Sequence, residues 1–140
     1  MFKKGEIVYH DNLIFCNGKK DKKKYRPCVV LFEFFINDIG YVCTVPITSS
    51  IKSFNKHDCF ILLSQILYSY KKLNFAEINN LLLNPSIETH RTNIVLNKRD
   101  LEVILKKVSN YNYNSMQETI LKNTLTTQAK TKKLLKKNKE

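Results

Sequence analysis

Apolar residues in the first half of the chain fall in short runs rich in Val, Ile, Phe and Tyr, while in the second half they recur at three- and four-residue intervals. Gly5 to His10 reads as a strand. Asn12 to Lys24 reads as a loop, broken by an apolar patch at Leu13 to Cys16 and strongly basic after it. Arg26 to Phe35 is a strand of β-branched and aromatic residues, Ile36-Asn37-Asp38-Ile39-Gly40 a turn, and Tyr41 to Ile47 the return strand, which together predict a hairpin. Pro27 and Pro46 lack a backbone donor and are expected at strand ends or an unpaired edge. After a polar stretch from Ser49 to Asp58, Cys59 to Leu63 is a further apolar strand.

Beyond Gln65 the spacing becomes helical. Asn74 to Leu83 carries apolar residues at 75, 76, 78, 81, 82 and 83 and is stopped by Asn84-Pro85, which predicts a helix. Asn93 to Leu96 is a short strand. Asn97 is placed to cap a helix from Lys98 to Val108, with Leu101, Ile104, Leu105 and Val108 on its buried stripe. Asn110 to Asn114 is a break, and Ser115 to Lys137 an amphipathic helix whose apolar line includes Met116, Ile120, Leu121, Leu125 and Ala129. The class expected is α+β.

Composition narrows this picture. The chain has 140 residues, 43% of them hydrophobic, enough for one domain with its own core and too apolar for a disordered tail. No run reaches the length needed to span a bilayer, and Met1-Phe2-Lys3-Lys4-Gly5 lacks a signal-peptide core, so a cytoplasmic location is expected. Cys16, Cys28, Cys43 and Cys59 are widely spaced, without a Cys-x-x-Cys pair or a nearby His at zinc-ligand spacing; they read as reduced core thiols, and neither a metal nor any other cofactor is expected.

The net charge of +12 points to a polyanionic partner. It is spread along the chain: residues 1 to 60 hold +4 of it, 61 to 110 +3 and 111 to 140 +5. The densest run is Lys19, Lys20, Lys22, Lys23 and Lys24, followed by Tyr25. Five lysines in six positions cannot pack in a core, so this segment faces solvent, either as a plain surface loop or as a clamp on backbone phosphates with Tyr25 stacking on a base. The basic end of the last helix admits the same two readings.

Candidate chemistry lies at the two ends of the hairpin. Arg26-Pro27-Cys28-Val29-Val30-Leu31 begins with a cation, and Val45-Pro46-Ile47-Thr48-Ser49-Ser50 ends in hydroxyls; antiparallel pairing brings these ends to one rim. A guanidinium beside hydroxyls suits a phosphodiester. Its planar fork fits two phosphate oxygens and stays protonated at any working pH. A Thr-Ser-Ser run at a strand end also serves simply to satisfy turn backbone groups. Lys52, His57 and Lys56 follow in the loop; Lys52 and His57 are the groups placed to move a proton, although no side chain is an evident general base. His10 and His90 read as surface or internally satisfied groups, and Gln65 as a structural buttress.

With Gly5-Glu6-Ile7-Val8 upstream and Leu62-Leu63-Ser64-Gln65-Ile66 downstream, these stretches resemble the MazF/PemK (Kid) family of toxin endoribonucleases, over roughly residues 4 to 75. The resemblance implies a small SH3-like antiparallel β-barrel in residues 1 to 110, with a helical insertion around 74 to 93 and a basic C-terminal helix over 111 to 140. It implies a metal-independent endoribonuclease that leaves 2′,3′-cyclic phosphate and 5′-hydroxyl ends, with Arg26 and Thr48 matching the family's catalytic arginine and threonine. Ser49 and Lys52 complete that catalytic group. Lys19, Lys20, Lys22, Lys23, Lys24, Tyr25, Ser50, Lys56 and His57 are the expected RNA contacts. The implied partners are an RNA substrate and a cognate antitoxin, with a homodimer or RNA-bridged oligomer expected. The basic first loop, the 75 to 93 segment and the long terminal helix are similar to the ToxN-like branch, which is neutralised by a repeat RNA; the usual acidic peptide antitoxin suits the same charge. Two rivals remain at this stage: a noncatalytic RNA-binding barrel, and a protein-targeting toxin such as CcdB on the same fold.

Overall fold

The computed structural model describes residues 1–16, 18, 20–21, 26–49, 59–65 and 73–139, with the backbone alone for residue 21 and for 131–139. The fold is mixed α+β. Its strands are β1 (Glu6–His10), β2 (Leu13–Ile14), β3 (Lys20–Asp21), β4 (Cys28–Ile36), β5 (Ile39–Thr48), β6 (Phe60–Leu62), β7 (Phe75–Glu77), β8 (Leu82–Pro85) and β9 (Thr89–Val95). Two helices follow, α1 (Lys98–Asn110) and α2 (Met116–Lys139). The main sheet runs β6-β7-β5-β4-β1-β9, with β8 also pairing β5; β2 and β3 form a separate ribbon. The strand pairs among the described residues are antiparallel, and the ladder is open between β6 and β9.

The β4–β5 hairpin turns on two residues. Asn37 and Asp38 take φ of 48° and 68°, the left-handed region that Asn and Asp tolerate best among residues with a Cβ. Ile36 therefore faces Ile39, and the strands extend further toward the turn than the five-residue turn expected from sequence. A bulge between Val30 and Phe32 adds one residue to β4. Leu31 and Phe32 both enter the larger core as a result, while Glu33 is carried to the opposite face, beside Val42. There its carboxylate accepts from the Phe2 N–H (2.8 Å) and the Ser86 hydroxyl (2.6 Å).

The helix expected over Asn74 to Leu83 is overturned: the segment forms β7, a turn and β8, with Ala76 opposite Ile47 and Leu83 opposite Cys43. Asn74 through Ile78 are all buried. A strand enclosed on both faces shows a continuous apolar run, which periodicity does not separate from a helical stripe. The strand foreseen at Asn93 to Leu96 begins earlier, at Thr89, and pairs with β1. The segment 74 to 93 is sheet, and not a helical insertion.

Both C-terminal helices cover one face of the sheet. Ile104, Val108, Leu121 and Leu125 join Ile7, Val29, Leu31, Val45, Ile47 and Ala76 in the larger core. Residues of alternate parity on the same strands, Val8, Cys28, Val30 and Val42, make a smaller core with Leu13 and Leu82. α2 is rotated from its expected stripe: Leu121 and Leu125 are buried, but Met116 is 78% and Ile120 55% exposed, and Glu118 points inward instead. No helix among the described residues is long and apolar enough to cross a membrane.

The start of α1 is tied to the end of β6. Asn97 caps the helix through Asp100 N–H at 2.8 Å, and the buried Asp100 carboxylate accepts from Ser64 N–H, Ser64 hydroxyl and Gln65 N–H at 2.9 to 3.1 Å. Charge-assisted bonds of this kind contribute about 1.5–3 kcal/mol each. Asp100→Ala strands those donors and should lower the unfolding free energy by roughly 3 kcal/mol in urea titration, while Asp100→Asn, which retains one acceptor oxygen, should lose less.

Candidate functional site

Arg26 and Thr48 are placed by the β4–β5 register. Val29 faces Val45, Cys28 faces Pro46, and Ile47 N–H donates to the Pro27 carbonyl at 2.9 Å. Two residues further the same register sets Arg26 across from Thr48, on the face that carries Cys28 and Pro46. Pro46 is inside β5, where a proline ordinarily interrupts a ladder. Because Ile47 N–H points to β4, Pro46 turns to the other edge of β5, in the interval where that edge passes from pairing β8 (through Thr44) to pairing β7 (from Ile47). The missing donor thus falls between two partners.

Glu77, which the sequence reading assigned no role, completes the pair. Arg26 Nη1 lies 2.8 Å from Glu77 Oε1, and Glu77 Oε2 accepts from Asn80 Nδ2 at 2.8 Å. The two charged side chains are only 12% and 10% exposed. Thr48 is buried as well and pairs with Phe75, two residues before Glu77 on the same strand. Just before Phe75, Asn74 is 1% exposed with neither side-chain atom hydrogen-bonded. The site is therefore an arginine paired with a mostly buried carboxylate, at the end of the ladder where Thr48 lies; Asn74, by strand alternation, faces the other side of β7 with Ala76. An anion approaching Arg26 competes with Glu77 for it.

The remaining expected residues are not gathered here. Ser49 is half-buried at the end of β5. Lys20 is exposed on β3, opposite Ile14, and no hydrogen bond or ion pair among the described residues joins it to Arg26 or Thr48. Lys19, Lys22, Lys23, Lys24, Tyr25, Ser50, Lys52, Lys56 and His57 lie outside the described residues. Cys16, Cys28 and Cys43 are buried free thiols, and Cys59 is half-buried with its sulfur 3.3 Å from the Tyr111 hydroxyl. The Cys16 thiol and burial together push the Cys43 thiol up, which keeps it unreactive. Among the described residues no group of three or more His, Cys, Asp or Glu is arranged to hold a metal ion.

His10 is a structural group. Its Nδ1 lies 2.8 Å from Thr89 Oγ1 and its Nε2 2.9 Å from Thr44 Oγ1. Thr89 donates its hydroxyl hydrogen to the Pro85 carbonyl, so it accepts from Nδ1–H, and the neutral Nε2 accepts from Thr44. Burial holds the ring down at a pKa of about 4, with Asp11 opposing and His90 assisting. His90 is exposed and pairs with Asp11 at 2.6 Å. Gln65 links the end of β6 to β9 and α1: its side chain bonds the Val95 carbonyl and the Asn97 N–H.

Comparison with protein-family models, with curated proteins and with solved structures finds no match to this chain.

Two outcomes follow from that geometry. In the unfolded chain His10 titrates near 6.5 and in the fold near 4, so its neutral form stabilises the fold fully above pH 6.5 and this contribution is lost as pH falls toward 4. The unfolding free energy should drop by up to about 3 kcal/mol over that window, and His10→Gln should flatten this part of the pH profile. Glu77→Gln removes the carboxylate paired with Arg26 in a mostly buried site and should cost roughly 3 kcal/mol in thermal or urea unfolding; the paired replacement Arg26→Met with Glu77→Met should cost less than either single change.

Proposed function

We propose that the protein is an RNA-directed endoribonuclease whose site is the Arg26, Thr48 and Glu77 cluster. The observation that carries the reading is the β4–β5 register, with Cys28 opposite Pro46 and Ile47 N–H on the Pro27 carbonyl, which brings Arg26 and Thr48 to one end of the ladder, with a carboxylate on Arg26. Metal-independent cleavage has the ribose 2′-hydroxyl attack the neighbouring phosphorus, leaving a 2′,3′-cyclic phosphate and a 5′-hydroxyl. Arg26 stabilises the added negative charge through paired N–H···O bonds, and the Thr48 and Ser49 hydroxyls donate to the phosphate. As the phosphate takes the guanidinium, Glu77 is released to accept the 2′-hydroxyl proton; Lys52, four residues after Thr48 in the sequence, delivers a proton to the leaving oxygen. The net charge of +12 draws a polyanion to the surface.

The toxin role and its setting come from the resemblance to the MazF/PemK family. On that reading the protein is a cytoplasmic toxin restrained by a cognate repeat RNA or acidic protein, acting as a homodimer or RNA-bridged oligomer. The same reading takes the sheet, in which β5 serves β4, β7 and β8 at once, as an SH3-like barrel opened between β6 and β9.

One observation favours a noncatalytic RNA-binding protein: Arg26 is already matched by Glu77, as in a purely structural ion pair. The two readings separate in one experiment. Purified protein incubated with a mixed RNA pool in the presence of EDTA should yield fragments ending in 2′,3′-cyclic phosphate, and Arg26→Ala should cut at least ~100-fold more slowly while still binding RNA. Binding without cleavage by the unaltered protein, with RNA affinity unchanged in Arg26→Ala, makes it a noncatalytic binder.

A further inference from the structure

A polar cavity lies away from Arg26, where the β7–β8 turn meets the link between α1 and α2. Its volume is about 340 Å³, and Asn79, Tyr111 and Glu118 are among its walls. Tyr111 also lines a second cavity of about 330 Å³, together with Lys107. Each is of a size that holds a small ligand.

The walls carry unmet acceptors. Glu118 is 6% exposed, yet its carboxylate makes no hydrogen bond or ion pair with any described residue, and burial raises its pKa. The Asn79 side-chain carbonyl oxygen is buried with no donor. An amide oxygen left unpaired at such burial costs free energy that a ligand presenting N–H groups recovers, and the Glu118 carboxylate, open to the same cavity, is a second acceptor for it. Lys107, in the last turn of α1, has no ion pair among the described residues and stands on the other side of the shared tyrosine.

We propose that these two neighbouring cavities, which share Tyr111, bind a guanine nucleotide, with the base edge on Glu118 and Asn79, the ring against Tyr111, and the phosphate on Lys107. Guanine presents two adjacent donors, N1–H and the N2 amino group, which match a carboxylate in bidentate fashion. On their Watson–Crick edges, adenine and cytosine present an amino donor beside an acceptor, and uracil one N–H between two carbonyls. Tyr111 supplies the aromatic surface on which single-stranded bases stack. A guanidinium side chain would also satisfy Glu118, but the Lys107 cation of the neighbouring cavity disfavours a cationic ligand and favours a phosphate.

The position of the cavity links it to the RNA site. Asn79 lines it, and the next residue, Asn80, holds Glu77, the partner of Arg26. One turn thus joins both sites, so the cavity selects a guanine in the strand that Arg26 engages. This last role rests on the endoribonuclease reading; nucleotide binding itself does not.

The test is titration of the intact protein with guanosine, adenosine, cytidine and uridine 5′-monophosphates, followed by calorimetry and amide NMR. Guanosine monophosphate should bind at least tenfold more tightly than the other three and shift the resonances of Asn79, Tyr111 and Glu118 in the unaltered protein. Glu118→Gln should weaken it tenfold or more and narrow its lead over adenosine monophosphate, since a glutamine amide matches the adenine edge. Lys107→Ala should weaken the monophosphate but not guanosine. Equal binding of all four nucleotides, no shift at those residues, or displacement by arginine amide at lower concentration than by guanosine monophosphate overturns the proposal. Selective nucleotide binding without RNA cleavage would remove the nuclease reading and leave the guanine site; cleavage indifferent to guanine, with no nucleotide binding, would do the reverse.

Discussion

The register between β4 and β5 is the constraint on which this structure turns. Two left-handed residues, Asn37 and Asp38, set it at the turn, and the bulge at Leu31 and Phe32 resets it midway. A slip by one residue would exchange the two faces of one strand relative to the other, so that Val29 and Val45 could not both lie in the core beneath the helices. Every other strand of the main sheet except β6 and β9 pairs directly with this hairpin. The facing of Arg26 and Thr48 follows from the same register, as does the position of Pro46 between β8 and β7.

The polar groups that the fold encloses divide into those satisfied and those left open. His10 is held neutral between two threonines, Asp100 accepts from one short stretch of backbone and hydroxyl, and Glu33 receives the Phe2 N–H and the Ser86 hydroxyl. These groups join distant parts of the chain and are closed to further chemistry. The Asn74 amide and the Asn79 and Asn84 side-chain oxygens are buried without such partners, along β7, the turn after it and β8, and Glu118 of α2 lines the cavity at that turn. Enclosed polar atoms without partners mark where a folded protein has kept binding capacity at a cost in stability.

The hairpin was legible because its turn residues and flanking β-branched runs are local signals, and α1 because Asn97 and the Leu101, Ile104, Leu105 and Val108 stripe repeat at helical spacing. β7 and β8 were not, since burial on both faces erased the alternation that identifies a strand. Glu77 was lost with them: placed on an imagined helix, it had no reason to meet an arginine 51 residues away. In α2 the apolar residues outnumber those the core accepts, so Met116 and Ile120 face solvent while Glu118 turns inward.

By itself the sequence determined the α+β class, the strand-turn-strand unit from 26 to 48, the capped helix after Asn97 and a cationic surface, all of which follow from contacts between near neighbours or from composition. Only the tertiary structure decided that Glu77 meets Arg26, that His10 is locked neutral, and that Asn79, Tyr111 and Glu118 share a cavity. Those pairings join residues far apart in the chain, and they arise from sheet order and helix rotation, which are set by which faces can be buried together.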